Sequence, residues 1–361
     1  MAGDSQQGDI FLMPTIKDVA NIAGVSTATV SATLNGTSFV SAELRERVLA
    51  AVRELGYAPD AIARSLKQGR TQLIGLVVAD ITNPFFNELT QVIEALAQEI
   101  GFTVLLCDTN QEYRRELEYL RLMRTYRVEG MILAPTGHPS DYEAGEVREM
   151  RMPVVLVDRT LPFLPFDSVT LNNHLAAMEA TNHILELGHR RIGMIGGSDH
   201  LSVALERKEG YRAALERQGI DFDVHLVRDG SFREEDARVA CREILTCANR
   251  PTALFVANNH MLVGVMRAMA ELGLRCPQDL SVVSVDDFRW ANAFTPRLTT
   301  VAQPVPEIGQ AAMQLLLDRL SGAAPREPVH IVMQPTLLVR DSTLRWRRAS
   351  DRARNTPSAS R

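Results

Sequence analysis

The chain has 361 residues, 45% of them hydrophobic and 23% charged, with a net charge of −5. That is too long for one compact core, so it fits one small and one large domain, or three small ones. No apolar run reaches the ~18–20 residues of a membrane span, and the N-terminal MAGDSQQGDIFLMP has neither the basic nor the apolar region of a secretory signal. Four cysteines (Cys107, Cys241, Cys247, Cys276) without C-x-x-C spacing suggest reduced cytoplasmic thiols filling apolar positions, not zinc ligands or a disulfide framework. The charge is uneven: +2 over residues 15–70, −10 over 71–343 and +5 over 344–361. Basic ends on an acidic body suit a molecule with one end facing DNA and a body that does not bind it.

Residues 1–13 have no pattern and are expected to be disordered and dispensable. Residues 14–59 form a head of three predicted helices. Thr15, with Asp18 three residues on, caps IKDVANIA, which Gly24 stops. Ser26 caps TATVSATL, which Asn35-Gly36 ends, and Ser41 caps AELRERVLAAVREL, which Gly56 ends. Apolar residues (Ile16, Val19, Ala20 and Ala23; Val25, Val30 and Leu34; Leu44, Val48, Ala51, Val52 and Leu55) mark one face of each helix, enough for a small shared core.

The tight Ala23–Ser26 junction makes a helix-turn-helix, whose second helix enters the major groove N-terminus first. That helix would present Thr27, Ala28 and Ala32 outward, with Thr29 and Ser31 near the phosphates. Thr15, Ser26, Asn35 and Tyr57 complete the expected DNA-contacting set. An alanine/threonine-rich amphipathic helix can equally be only a helix, so the neighbouring segments decide. Pro59 blocks continuation of the third helix and Asp60 can cap AIARSLKQGR, a piece too short to be a stable helix alone.

The run TIKDVANIAGVSTATVSATLNGTSFVSAELRERVLAAVRELGYAPDAIARSL, continuing into TQLIGLVVADITNPFFNELTQVIEALAQEIGF, is similar to the lactose-repressor (LacI) family. The resemblance covers roughly residues 15–343. It implies a homodimer on palindromic double-stranded operator DNA, and a hinge helix (within residues 60–72) that folds on binding. By the resemblance Leu66 wedges into the minor groove with Ala63 beside it, and Arg64 and Lys67 lie near phosphates. Ala32 departs from the family, where Arg or His is common, so one guanine-reading contact is missing. Asp60 replaces the common Asn, and both can cap.

From Leu73 onward short apolar strands alternate with helices, the pattern of parallel doubly wound sheets. There are too many strands for one sheet. The expected architecture is an all-α helix-turn-helix head plus hinge helix, then a two-lobed α/β body like a periplasmic binding protein. The body should span 73–343, one lobe holding about 73–170 and 301–327 and the other about 171–300 and 328–343. Polar residues just after strands, Asp80, Asp158, Asn258 and Asp286, point into the crevice where such sheets bind ligands. One such residue alone is more often a helix cap; four at equivalent positions suggest a shared cleft.

The resemblance adds Arg207, Asn83, Phe85 and Phe232 to this effector site, and gives Asn258 and Asp286 the ligand hydroxyls. Asn172 and Asn259 stand where the family usually has Asp, which removes negative charge near the cleft. Sugars and sugar acids are the leading effectors, and purines the second choice. A periplasmic sugar-binding protein would need a signal peptide and no helix-turn-helix. An enzyme finds little support: Gly193–Gly197 does not match G-x-G-x-x-G, and neither G-x-S-x-G nor a P-loop occurs. His183 and His189, near a helix end, read as structural and not as a metal site. No cofactor and no metal are expected. The tail, residues 344–361, should be basic, disordered and without a tetramerising leucine heptad. The protein is expected in the cytoplasm, at the nucleoid, with no membrane partner.

Overall fold

The computed structural model describes residues 14–36, 38–57, 70–143 and 145–346. The predicted N-terminal tail (residues 1–13), the predicted hinge helix with Ala63, Arg64, Leu66 and Lys67, and residues 347–361 lie outside the described residues. The chain divides into two compact units between Thr71 and Gln72.

The head contains α1 (Ile16–Ala23), α2 (Thr27–Asn35) and α3 (Ala42–Leu55). The caps form where the residue types allow. Thr15 N–H and its hydroxyl both donate to Asp18 (2.8 and 2.7 Å), and Ser26 Oγ accepts from Thr29 N–H at 3.1 Å. Gly24, Gly36 and Gly56 end the helices with left-handed φ of +62°, +63° and +60°, a conformation that costs glycine nothing. Val19, Ala20, Ala23, Val30, Val48 and Ala51 make the core. Arg47, on α3, donates to the carbonyl of Ala23 at 2.6 Å and so fixes the turn between α1 and α2.

The body begins with β1 (Leu73–Val78), α4 (Pro84–Glu99), β2 (Thr103–Asp108), α5 (Tyr113–Thr125), β3 (Gly130–Leu133), α6 (Pro139–Glu143), β4 (Val154–Val157) and β5 (Asp167–Leu171). It continues with α7 (Asn173–Glu186), β6 (Ile192–Gly196), α8 (Ser202–Arg217), β7 (Val227–Asp229), α9 (Glu234–Leu245), β8 (Ala253–Val256), α10 (Asn259–Glu271) and β9 (Ser281–Val285). The last elements are β10 (Thr299–Ala302), α11 (Val305–Ser321), β11 (His330–Met333) and β12 (Thr336–Leu338). Two six-stranded sheets result, in the orders β11-β5-β4-β3-β1-β2 and β12-β10-β9-β8-β6-β7. Pairing is parallel throughout, except that β12 runs antiparallel to β10. Strands such as ALFV and SVVSV are buried along their whole length, as a sheet covered on both faces demands.

The first sheet has two apolar clusters, one including α4 and α11 and the other including α5 and Tyr142. The second lobe has one continuous cluster. There α7 and α8 approach so closely that a Cβ on Gly210 would meet the His174 carbonyl oxygen at 2.1 Å. The chain crosses between sheets three times: after β5, after β10 and between β11 and β12.

Four expectations differ from this fold. The sequence pattern places residues 328–343 in the second lobe, but β11 pairs with β5 and completes the first sheet, so only β12 onward returns. Likewise the chain leaves the second sheet after Ala302, since β10 pairs with β12 through that residue. The disordered tail was placed from 344, yet Leu344–Trp346 are anchored: Leu344 N–H donates to Ser281 Oγ (3.0 Å), Leu344 O accepts from His189 Nε2 (2.9 Å) and Trp346 N–H donates to Leu187 O (2.8 Å). His183 likewise meets the Thr343 hydroxyl at 2.9 Å, so both histidines tie Thr343–Leu344 to α7 and the loop after it. Cys107, Cys241 and Cys276 are buried, and burial pushes their thiols up to about 11, 12 and 12, whereas Cys247 is exposed and does not fill an apolar position.

Candidate DNA interface and interlobe site

In the head, the start of α2 is its most accessible part: Ser26, Thr27 and Ala28 are exposed, while Thr29, Ser31 and Ala32 are half-buried. Capping by Ser26 leaves the helix's first N–H groups and small side chains at one end, which suits approach to a phosphate or a groove floor. Asn35 is exposed at the far end, and its amide donates to Ser31 O at 2.9 Å. Thr15 is exposed, whereas Tyr57 packs against the core. These side chains therefore present themselves unequally, with Thr27 and Ala28 foremost.

In the body, Asn83, Phe85, Asp158, Arg207, Phe232, Asn258 and Asp286 line one small cavity between the lobes, together with Phe86, Gln111, Arg159 and Val203. All but Arg207, which lies in the second turn of α8, arrive by a strand's C-terminal end or the start of the next helix. Asn83 caps α4, accepting from Phe85 N–H (2.9 Å), and Asn258 caps α10, accepting from Met261 N–H (2.8 Å). Capping uses each side-chain oxygen and leaves its NH2 group, so cap and cavity roles coexist. Asp158 and Asp286, directly after β4 and β9, both adopt left-handed backbone (φ +65° and +70°). Such strain persists only where the surroundings hold it. Gly197, just after β6, makes room for the Phe232 ring, which a Cβ would meet at 2.1 Å.

Arg207 is 2% exposed; its Nε donates to Asn173 Oδ1 at 2.9 Å and its Nη1 donates to Ala257 O. Burial pushes the Asp158 carboxyl above its ordinary range, against the pull of Arg159 and Arg207. Burial does the same to Asp286, opposed by Arg207 and by a hydrogen bond from Gln303. Two reluctant carboxylates around a fixed guanidinium form a polar floor with unused acceptor positions. In this closed arrangement the cavity is ≈ 20 Å³, room for about one water.

Asp80 does not join this lining. Its Oδ1 accepts from Thr82 N–H and hydroxyl (2.9 and 2.6 Å), and its Oδ2 lies 3.3 Å from Nδ1 of His260 on α10. The expected ligand-binding carboxylate is thus engaged in a contact between lobes. Hydrogen bonding to Asp80 raises the His260 imidazole; burial would raise Asp80, but His260 and Thr82 outweigh it and hold it low.

Sequence pattern alone does not single out Arg159, His260, Gln111 or Gln303. Arg159 is 3% exposed, donates to Pro135 O and Gln111 Oε1 (3.1 and 2.9 Å), and lies over the Phe232 ring at 5.8 Å. Its position after Asp158 gave a signal only in the D-R pair, which reads as readily as a solvated ion pair. Asn172, one of the two Asn-for-Asp departures, caps α7 (3.0 Å to Leu175 N–H). The other, Asn259, is buried with neither amide atom hydrogen-bonded. Among the described residues no group of three His, Cys, Asp or Glu could hold a metal ion, and no helix is long and apolar enough to cross a membrane.

Residues 15–60 match the lacI family of bacterial regulatory proteins, and residues 181–343 match the periplasmic binding protein-like domain. The HTH-type transcriptional repressor PurR of Vibrio atlanticus (strain LGP32) is 36% identical over 308 residues, covering 85% of this chain and 92% of that one. The ribose operon repressor of Haemophilus influenzae is 36% identical over 331 residues, covering 91% and 98%. Among solved structures, the lac repressor dimer bound to operator and the anti-inducer ONPF superposes with a TM-score of 0.80 at 29% identity, over 92% of this chain and 99% of that one.

Proposed function

The chain belongs to the LacI family of helix-turn-helix transcription regulators, and from that premise we propose that it represses transcription as a cytoplasmic homodimer on a palindromic operator, under the control of a sugar or sugar derivative. A two-fold operator calls for a two-fold protein. Thr27, Ala28 and Ala32 face the groove with Thr29 and Ser31 near the phosphates, and by the family resemblance Leu66 enters the minor groove.

The observation that carries the effector reading is the pair of buried carboxylates, Asp158 and Asp286, set around Arg207 in the interlobe cavity. Carboxylates accept paired hydroxyls, and a guanidinium fork donates to ring and hydroxyl oxygens. The ribose operon repressor among the relatives points the same way. A cavity of ≈ 20 Å³ must widen to take a sugar, so binding requires the lobes to separate and close again. A purine stacked on Phe85 or Phe232 is the second reading, favoured by the aromatic walls.

A thermal-shift screen of the full chain against monosaccharides, sugar acids and nucleobases tests this. A sugar at 100-fold its Kd should stabilise by about 2.7 kcal/mol, a shift of several degrees. The same sugar should change operator binding in a mobility-shift assay, and Arg207→Ala should lose both responses. A response to nucleobases alone would move the assignment to purines.

A further inference from the structure

Arg207 and Asp286 are each held by an amide side chain that sits where the chain crosses between the sheets. Strand β5 ends at Leu171 in the first sheet, and α7 begins two residues later, at Asn173, in the second lobe. Asn173 is 1% exposed and uses both halves of its amide. Its Oδ1 accepts from Arg207 Nε (2.9 Å), and its Nδ2 donates to Leu171 O (3.1 Å). The close approach of α7 and α8 at Gly210 brings the two side chains together. Nη1 donates to Ala257 O as well, so the planar guanidinium is held at two of its nitrogens.

The second crossing repeats the arrangement. β10 ends at Ala302, and the next residue, Gln303, donates through Nε2 to Asp286 Oδ1 at 2.5 Å. The third crossing joins the first through the backbone: Asn172 N–H donates at 2.8 Å to the carbonyl of Met333, the last residue of β11. The cavity lining includes Arg207 and Asp286 but neither Asn173 nor Gln303. A buried amide needs hydrogen-bond partners, and backbone groups alone can supply them. These two amides instead reach an arginine and a carboxylate of the effector site.

We propose that Asn173 and Gln303 are positioning residues that tie effector binding to the chain crossings, Asn173 through Arg207 and Gln303 through Asp286. An effector that engages the guanidinium or the carboxylate restrains Leu171–Asn173 and Gln303 with it, and through Met333 the third crossing follows. The crossings are the covalent links between the lobes, so restraining them selects one setting of the lobes. This inference rests on the interlobe cavity being the effector site.

Calorimetry and hydrogen exchange on the full chain test it, with D-ribose, D-glucose and hypoxanthine as probes. A probe that binds should slow exchange at residues 171–175, 303–308 and 333–336, outside the cavity lining. Gln303→Glu sets a carboxyl against Asp286, which also faces Arg207, Asp158 and His260. At pH 5 a proton shared by the two carboxyls restores the bond, whereas at pH 8 both are charged and repel. Comparison with the parent at the same pH removes the titration of His260. Binding by Gln303→Glu should then be weaker by tenfold or more at pH 8 and close to parental at pH 5. Asn173→Leu should weaken binding tenfold or more, and Asn173→Asp, which keeps the acceptor for Arg207, should recover most of it. Asn173→Asp also removes the donor to Leu171 O, so exchange at 171–175 should no longer respond to the probe. If Asn173→Leu fails to fold, Gln303→Glu decides. The coupling is overturned, and the effector site left standing, by a probe that binds without slowing exchange at the crossings. A loss in Gln303→Glu that is equal at both pH values, or one in Asn173→Leu that Asn173→Asp does not recover, does the same. Failure of all three probes to bind the parent overturns both.

Discussion

The two lobes of the body are built on the same strand order, yet they hold their share of the cleft by different means. β2-β1-β3-β4-β5-β11 in the first corresponds to β7-β6-β8-β9-β10-β12 in the second. The correspondence extends to backbone detail. Asn110 and Gln111 after β2, and Ser231 and Phe232 after β7, all have positive φ, and Asp158 and Asp286 do so after β4 and β9. The difference lies in the segments that leave β3 and β8. After β8 the chain enters α10 at once, and Asn258 is fixed as its cap. After β3 there is a loop, and the buried Glu116 of α5 secures it. Glu116 accepts from Thr136 N–H and hydroxyl (both 2.7 Å) and from the Tyr142 hydroxyl (2.7 Å). The corresponding fourth position of α9 is Ala237. One lobe positions its cleft edge by a helix terminus, the other by a buried carboxylate that burial pushes upward.

That contrast predicts a large, asymmetric response. Glu116→Ala strands three donors in the first lobe and should cost about 3 kcal/mol in urea unfolding. Ala237→Glu buries a carboxylate without such donors and should cost at least as much. Equal tolerance of both changes would mean that the loop after β3 needs no anchor.

Next in size are the paired carboxylates. Asp158→Asn and Asp286→Asn should each weaken effector binding by about 2 kcal/mol, roughly thirtyfold, in calorimetry. Burial raises both carboxyls, so each favours the fold below the ordinary carboxylate range, and that contribution is lost as pH rises through the raised value. Unfolding measured from pH 4 to 8 should accordingly show the parent losing stability relative to either Asn variant. A loss of binding in only one of the two would break the functional equivalence of the lobes.

The lobes also differ in how they are closed. Among the last elements, α11 packs into the first lobe, while Thr343–Trp346 are tied to the second through His183, His189 and Ser281. Truncation after Ser342 should cost about 1–2 kcal/mol relative to truncation after Trp346, read as a lower urea midpoint. Matching midpoints would assign these residues no anchoring role.

The smallest effect belongs to one of the contacts joining the lobes. His260 faces Asp80, Thr82 and Glu234. Its raised imidazole favours the paired state below about pH 6.5, and this is lost as pH rises through the raised value; the lowered Asp80 loses its contribution only as pH falls below about 4. His260→Gln should therefore destabilise most near pH 5–6, by about 1 kcal/mol and seen as a lower thermal midpoint, and least near pH 8. A difference independent of pH would rule out a charged pair.

The legible parts of this molecule are those whose physics is local. The caps at Thr15, Ser26 and Ser41 and the left-handed glycines follow from neighbouring residues. The fully buried strands announce themselves as unbroken apolar runs. β10, β11 and β12 do not: TTVA, HIVM and TLL are short, and the latter two are at most half-buried. Their assignment depends on partners far away in sequence, as when His330 aligns with Ser168. The same reason hid Arg159, whose burial is created by Pro135 and Gln111 from other loops. It also misplaced Asp80, which sits after its strand as expected but meets a histidine about 180 residues on.

The threefold crossing of the chain between sheets has a consequence for biosynthesis. β5 ends at Leu171, but the strand that covers its open side starts only at His330, and α11, which packs beneath the same sheet, starts at Val305. At about 5–20 residues per second, a ribosome takes on the order of ten seconds or more to make the intervening stretch. Throughout that interval the nascent first lobe presents an unpaired strand edge, the feature most prone to unwanted pairing. The first lobe is thus begun early and finished late, its open edge closed only once β11 has emerged from the ribosome.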